Sequence, residues 1–285
     1  MIERVAELSG ALEAERVRGR VVGLVPTMGA LHDGHLSLVE RSAAECDTTC
    51  ITVFVNPLQF GPGEDLGAYP RALEDDLRRA AGAGAGLAFA PPVEEMYPGP
   101  VMTTVRVVPL ADVLEGEHRP GHLDGVATVV AKLFAMAGRC RAYFGEKDWQ
   151  QLVLVERMAA DLSFPVEVVG CPIVRDLDGL ALSSRNAYLA PDEREAAPVL
   201  FRALRAGMAT VMAGEDDPAA VVDLVGSIIT AEPLAQLDSV ALVEPRTLAP
   251  ATTVRGELRL LAAARFGRAR LIDNLGLYGN AMMGT

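Results

Sequence analysis

The chain predicts an α/β fold, a parallel-sheet domain followed by a smaller α+β domain, and three observations carry that prediction. Short β-rich apolar runs alternate with amphipathic helical patterns through the first two-thirds of the 285 residues. The first of these runs leads straight into a glycine-containing turn and a helical pattern. After about Asn186 the alternation stops, and helical patterns are followed by consecutive strand patterns.

The first strand covers residues 21–25 and stops at Pro26; residues 51–55 form another, stopping before Asn56-Pro57. Residues 87–90, 103–108, 142–144 and 166–169 read as further short strands. Helical patterns fall between them, over residues 35–44 and 73–81. Val126, Val129, Val130, Leu133 and Phe134 mark one face of a third helix, and Leu152, Val155, Ala159 and Leu162 mark a fourth more weakly. Strand and helix in alternation build a parallel sheet whose ligand loops lie at the strand C-termini. Residues 1–186 are therefore expected to form a Rossmann-like, parallel-sheet domain.

In the remainder, Pro191 followed by Asp192, Glu193 and Glu195 suits a helix start, with acids near the positive end of the dipole, although Ala190 is a poor cap. A second helix is predicted over residues 218–230 and strands over 239–243, 258–265 and 269–272. These elements predict a smaller α+β domain over residues 187–285.

Half of the sequence is apolar, and a chain of this length buries about 75% of its unfolded surface, so a core forms without staples. The N-terminal residues mix charges with no apolar h-region, so no secretory signal is expected, and no uncharged apolar run approaches the roughly 18 residues of a membrane span. Cys46, Cys50, Cys140 and Cys171 include no Cys-x-x-Cys pair and read as reduced thiols. The net charge of −12 argues against nucleic-acid binding, so an anionic ligand requires a local cationic pocket. Of 26 cationic side chains only two are lysines, Lys132 and Lys147. Where arginine serves elsewhere, a retained lysine points to a need for its compact ammonium.

The chemistry begins where the first strand runs into Pro26-Thr27-Met28-Gly29-Ala30-Leu31-His32-Asp33-Gly34-His35. Gly29 and Gly34 permit close backbone approach, and two histidines three apart stand at a helix start, where N–H groups and imidazoles bind phosphate oxygens. The Gly-Lys-Ser/Thr of a Walker loop is missing. A metal reading of His-x-x-His lacks the intervening glutamate of the zinc-protease pattern.

These residues resemble the His-x-Gly-His signature of the nucleotidyltransferase superfamily, and more narrowly the chain is similar to the pantothenate synthetase (pantoate–β-alanine ligase) family over nearly its whole length. Further segments follow in order: Phe54-Val55-Asn56-Pro57-Leu58-Gln59-Phe60, Tyr69-Pro70-Arg71 with Asp75-Asp76-Leu77, and Glu117-His118-Arg119-Pro120-Gly121-His122-Leu123-Asp124-Gly125-Val126. Phe144-Gly145-Glu146-Lys147-Asp148-Trp149-Gln150-Gln151-Leu152 comes next, and Leu182-Ser183-Ser184-Arg185-Asn186 takes the place of the synthetases' Lys-Met-Ser-Lys-Ser loop. Leu58 stands where methionine is frequent, and Trp149 where phenylalanine or tyrosine is usual.

The resemblance implies two half-reactions, adenylation of pantoate by ATP and attack of the β-alanine amine on the acyl carbon, with magnesium accompanying the nucleotide. It assigns catalysis to His32, His35, Lys147 and Arg185 as cationic or imidazole donors, with Ser183 and Ser184 as hydroxyl donors and His35 as the proton donor. ATP contacts are expected from Met28, Gly29, Ala30, Leu31, Asp33 and Gly34 around the histidines. They are also expected from Gly145, Glu146 and Asp148 around Lys147, and from Val174 and Leu182. Gln59 and Gln151 are expected to hold pantoate, with Met28 and Phe54 as apolar wall.

No protein ligand set for the metal is assigned. Asp75 and Asp76 are read as capping or solvating a helix, the metal riding on the ATP phosphates, with an influence on magnesium as the alternative reading. His118 and His122 lie in a loop that serves either the substrate pocket or a dimer contact. A cytoplasmic homodimer is expected, with the C-terminal domain acting as a lid. Three rivals stand beside this reading: a nucleotidyltransferase without the amine step, an RNA-binding synthetase-like protein and a catalytically dead fold.

Overall fold

The computed structural model describes residues 1–61, 66–67 and 72–279. The Tyr69-Pro70-Arg71 block lies outside the described residues. The chain forms two compact units, Met1–Glu146 with Gln150–Pro172, and Lys147–Trp149 with Ile173–Thr285. The main division thus falls at Pro172–Ile173, earlier than the 186/187 boundary expected from composition, and the short Lys147–Trp149 turn groups with the second unit.

In the first unit, α1 (Val5–Val17), β1 (Val22–Thr27), α2 (Asp33–Glu45), β2 (Thr48–Val53), α3 (Leu73–Gly82) and β3 (Leu87–Phe89) come first. Two short helices follow, α4 (Val93–Met96) and α5 (Glu115–His118), and then α6 (His122–Ala137), β4 (Cys140–Gly145), α7 (Trp149–Asp161) and β5 (Val166–Cys171). The five strands pair in parallel in the order β3-β2-β1-β4-β5. Strand order reverses between β1 and β4, and a doubly wound sheet binds ligands beyond the C-terminal ends at that reversal. β1 leads there into the Met28–His35 turn, and β4 into Glu146–Asp148.

The apolar runs behave as their composition requires. Val22, Leu24 and Val25 in β1 and Ile51 in β2 are essentially sealed from solvent. The predicted face of α6 is buried, and Ala127, Ala131 and Ala137 are buried as well, so this helix is covered on nearly every side. Phe134 packs edge-on to Phe144 and Phe164 at centroid separations of 6.4 and 5.7 Å. Each such side chain contributes about 1.5–3 kcal/mol by leaving water.

Two expectations change, and one helix was not foreseen. Residues 103–108 are not a strand: the Val105 N–H donates to Thr128 Oγ1 of α6, and Arg106 pairs with Asp112 and Asp124, so side chains replace a ladder. Leu162 lies past the end of α7 and is exposed. Helix α1 shows no clear apolar period because its charges mask Leu8 and Leu12, two i, i+4 residues with no exposed area.

In the second unit, α8 (Pro191–Ala196), α9 (Val199–Met212) and α10 (Pro218–Thr230) precede β6 (Gln236–Val243), β7 (Gly256–Phe266) and β8 (Ala269–Gly279). Pro198 separates α8 from α9, since its ring cannot donate within a continuous helix. The weak Ala190 cap is compensated by Glu193, whose Oε2 accepts the Ala190 N–H at 2.8 Å. The antiparallel sheet runs β6-β7-β8, and its strands are longer than their apolar patterns suggested. Leu200, Leu204, Val221, Val225, Leu260 and Phe266 belong to the core beneath it.

Candidate active site

The histidine turn is held before any ligand arrives. Gly29 (φ +84°) and Ala30 (φ +51°) are both left-handed, and a Cβ at Gly29 would lie 2.9 Å from Asp76 Oδ2. For Ala30 that conformation costs on the order of 1 kcal/mol. Asp76 of α3 offsets it, accepting the Ala30 and Leu31 N–H groups at 2.9 and 2.8 Å while 3% exposed. Arg79, one turn along α3, donates to the Leu31 carbonyl and pairs with Asp33 at 2.9 Å. Asp75 faces Arg78 instead. The acidic pair read as helix-capping residues thus contains the anchor of the turn.

This anchoring narrows the predicted phosphate cradle. The N–H groups of Ala30 and Leu31 are taken by Asp76, and that of Gly29 donates to Thr27 Oγ1 at 3.2 Å. Among the described residues, the backbone donors left for an anion at the start of α2 are those of Asp33 and Gly34. His32 caps α2, and its ring centroid lies 4.0 Å from that of His35. His35 Nδ1 accepts the His32 N–H at 3.4 Å, so a neutral His35 carries its own proton on Nε2, as a donor to phosphate requires. Met28 is half-buried beside this turn.

Gln59 sits in the 3-10 turn Pro57–Gln59, 7% exposed. Its Oε1 accepts from Asn56 Nδ2 at 3.0 Å, and Asn56 also donates to the Gly125 carbonyl and accepts from Tyr97 Oη. A Cβ at Gly125 would lie 2.2 Å from the Leu58 carbonyl oxygen, so glycine there lets α6 approach the Gln59 turn. His122 Nδ1 stands 2.8 Å from the Gln59 carbonyl and its Nε2 2.8 Å from Arg119 Nη1, whereas His118 is exposed. His122 therefore buttresses the Gln59 turn. Phe54 is buried, 6.1 Å from the Tyr97 ring.

The adjacent glutamines of α7 divide their work. Gln150 spends its amide on the Leu110 and Val113 carbonyls and the Glu115 N–H. Gln151 is half-buried and its side chain makes no hydrogen bond among the described residues, so its amide is available. Lys132, the other lysine, lies 5.5 Å from the Tyr97 ring centroid, a cation–π contact rather than a plain surface position.

In the second unit, Lys147 and Asp148 lie in the 3-10 turn Glu146–Asp148. Lys147 Nζ is 3.5 Å from Asp148 Oδ1, and the lysine side chain is 17% exposed. Trp149 donates through Nε1 to the Pro245 carbonyl at 3.0 Å, a bond phenylalanine could not make. Val174 and Leu182 face each other across a hairpin, the Leu182 N–H donating to the Val174 carbonyl at 3.0 Å. The hairpin leads into the 3-10 turn Ser184–Tyr188, whose N-cap Ser183 accepts the Arg185 N–H. In the first unit, Gly145 ends β4 and Glu146 follows it, both half-buried.

Sequence reasoning missed Asn56, Arg79 and Gly125, and misread Asp76. Their roles depend on partners 41 to 69 residues away in the chain, which no local pattern encodes. A separate cleft of about 910 Å³, bordered by Arg16, Arg20, Glu45, Arg139, Arg141 and Glu167, lies at the N-terminal ends of β1, β4 and β5, the wrong end for the ligand loops. Burial pushes the Cys50 and Cys140 thiols up to about 12, which makes them inert packing groups. Among the described residues, no three His, Cys, Asp or Glu side chains cluster to hold a metal ion.

Comparison with known proteins agrees across the whole chain. A family model described as pantoate-beta-alanine ligase matches residues 1–276. A pantothenate synthetase of Thermus thermophilus is 53% identical over 279 residues, covering 97% of this chain and 99% of the relative. One from Heliobacterium modesticaldum is 49% identical, covering 96% and 98%. A crystal structure of the Thermus thermophilus pantothenate synthetase superposes with a TM-score of 0.92, covering 97% of this chain and 99% of that one. A Francisella tularensis pantoate-beta-alanine ligase, crystallised with beta-gamma ATP and beta-alanine, gives 0.78 at 30% identity, covering 96% and 97%. No described helix is long and apolar enough to cross a membrane. The chain belongs to the pantoate–β-alanine ligase family.

Proposed function

We propose that the protein condenses pantoate with β-alanine at the expense of ATP, yielding pantothenate, AMP and pyrophosphate through a pantoyl-adenylate intermediate. The observation that carries this reading is the His32–His35 turn at the start of α2, fixed by Asp76 and Arg79 in a chain matched to the family over residues 1–276. A pantoate carboxylate oxygen attacks the α-phosphorus of ATP, and the bond to the β-phosphate breaks, its electron pair leaving with pyrophosphate. The β-alanine nitrogen then attacks the acyl carbon, the acyl C–O bond breaks, AMP departs and the amine loses a proton.

The phosphorus gathers negative charge in the first transition state, so preorganised donors lower its energy most. His32 and His35 are assigned to the phosphates, His35 through Nε2–H, with the Asp33 and Gly34 amides beside them. Lys147 and Arg185 supply fixed positive charge, Ser183 and Ser184 supply hydroxyls, and Asp148 holds the ribose. Gly145, Glu146, Val174 and Leu182 border the adenosine. Gln59, held by Asn56, and Gln151 bind pantoate with neutral amides that do not quench its nucleophilic carboxylate. Met28 and Phe54 pack against its methyl groups.

Magnesium is placed with the ATP phosphates as a companion of the substrate, and no step is assigned to it. The working form is taken to be a cytoplasmic homodimer with the C-terminal part as lid; light scattering giving a monomer at micromolar concentration would sink the dimer. The reaction is tested by pyrophosphate and AMP release with ATP, magnesium and pantoate, with and without β-alanine. Pantoate-dependent pyrophosphate with amine-dependent AMP turnover supports the ligase; indifference to both acid and amine overturns the substrate assignment.

A further inference from the structure

Two consecutive residues of β8 reach both segments to which the second unit's catalytic roles are assigned. Asn274 is 1% exposed, and its Nδ2 donates to the Lys147 carbonyl oxygen at 2.9 Å. Its Oδ1 accepts from Arg259 Nε at 2.7 Å. Arg259, on the neighbouring β7, is also buried and lies over the Trp149 ring, 3.7 Å from the centroid. The Lys147–Trp149 turn is therefore gripped at its first residue by Asn274 and at its last by Arg259.

Asp273, the other member of the pair, is 3% exposed and accepts from Nη1 and Nη2 of Arg175, at 2.6 and 2.8 Å. Arg175 bridges to Ala181 at the base of the hairpin that leads into Ser183, and donates to the Gly179 carbonyl across it. The Asp273 carboxylate also accepts the Asn274 N–H at 2.7 Å, which links the two grips.

Burying an aspartate, an asparagine and an arginine, with Arg175 half-buried beside them, carries a desolvation cost that apolar side chains would avoid, so stability alone is a poor reason for this network. We infer that Asp273 and Asn274 are positioning residues for the adenylation step, setting the Lys147 turn and the Ser183–Arg185 turn on one rigid strand. They act through the backbone of Lys147 and through Arg175, without touching substrate. The inference rests on the proposed role of Lys147. Displacing a donor by about 1 Å can cost about 100-fold in rate, so a lost tether has kinetic consequences.

The test compares full-length Asn274→Ala, Arg259→Lys and Leu258→Ala with the unaltered protein by pantoate-dependent ATP–pyrophosphate exchange and by thermal melting. Asn274→Ala is expected to lower kcat about tenfold while the KM for pantoate stays within about twofold. Arg259→Lys keeps the charge but loses the Nε donor and the planar stack, and lowers kcat about threefold. Leu258→Ala, a buried β7 change outside the network, lowers Tm but leaves kcat near the unaltered value. If Asn274→Ala does not fold, Arg259→Lys decides. Unchanged kcat in the network variants, or a fall no greater than that of Leu258→Ala at matching Tm, overturns the inference. Lys147→Ala, run alongside, separates the two levels. Undiminished exchange there removes the proposed role of Lys147 and this inference together, whereas loss there with none in Asn274→Ala removes the positioning role alone.

Discussion

The Asp76 carboxylate accepts the N–H groups of both Ala30 and Leu31, at 2.9 and 2.8 Å, and so ties the first turn of α3 to the loop that presents His32. Asp76→Ala leaves two amides without their charged acceptor and should destabilise the protein by about 3 kcal/mol. It should also lower pantoate-dependent pyrophosphate exchange by about tenfold or more, because the histidine turn loses its anchor. Urea unfolding and exchange kinetics check both; an unchanged rate would show that the turn holds its shape without Asp76.

Two glycines make opposite predictions. At Gly29 an alanine meets a left-handed backbone and a carboxylate oxygen 2.9 Å away, so Gly29→Ala should cost about 1–2 kcal/mol. Gly10, exposed in α1 with nothing near its virtual Cβ, should gain about 0.8 kcal/mol on Gly10→Ala from helix propensity alone. Paired unfolding curves measure the difference in sign.

The two lysines separate chemistry from packing. Lys147→Ala should reduce adenylation by roughly 100- to 1,000-fold, as loss of one preorganised donor does. Lys132→Ala removes only the contact with Tyr97 and should cost about 0.5–1 kcal/mol of stability with kcat near normal. Single-turnover pyrophosphate release on both variants distinguishes them.

Asp178 gives a pH prediction. The hydrogen bond from Arg194, 2.5 Å from its Oδ2, holds the carboxyl below its usual 3.8. A lowered folded-state value means the contribution is complete above about pH 4 and disappears as pH falls further through that value. The Tm gap between the unaltered protein and Asp178→Asn should therefore be constant from about pH 7 to about pH 5 and narrow as pH falls below the usual carboxylate range. A gap that widens in acid would contradict the assignment.

Much of the first unit is legible in sequence because its periods are local. The β1 run, the α2 start and the α6 face are written within a few residues of one another, and the family segments follow in order. What escapes is long-range or masked. Leu8 and Leu12 are hidden among the charges of α1, and residues 103–108 have strand composition but find Thr128 in place of a partner strand. Asp76, Asn56 and Asn274 look like ordinary polar residues in sequence; their partners lie dozens of residues away.

The central claim concerns which bonds form and break, and an oxygen label reads them directly. Pantoate carrying ¹⁸O in its carboxylate is incubated with the protein, ATP, magnesium and β-alanine, and the AMP is examined by mass spectrometry. Attack on the α-phosphorus followed by acyl transfer predicts AMP bearing one ¹⁸O, appearing only when β-alanine is present. Unlabelled AMP formed alongside pantothenate would contradict the acyl-adenylate route.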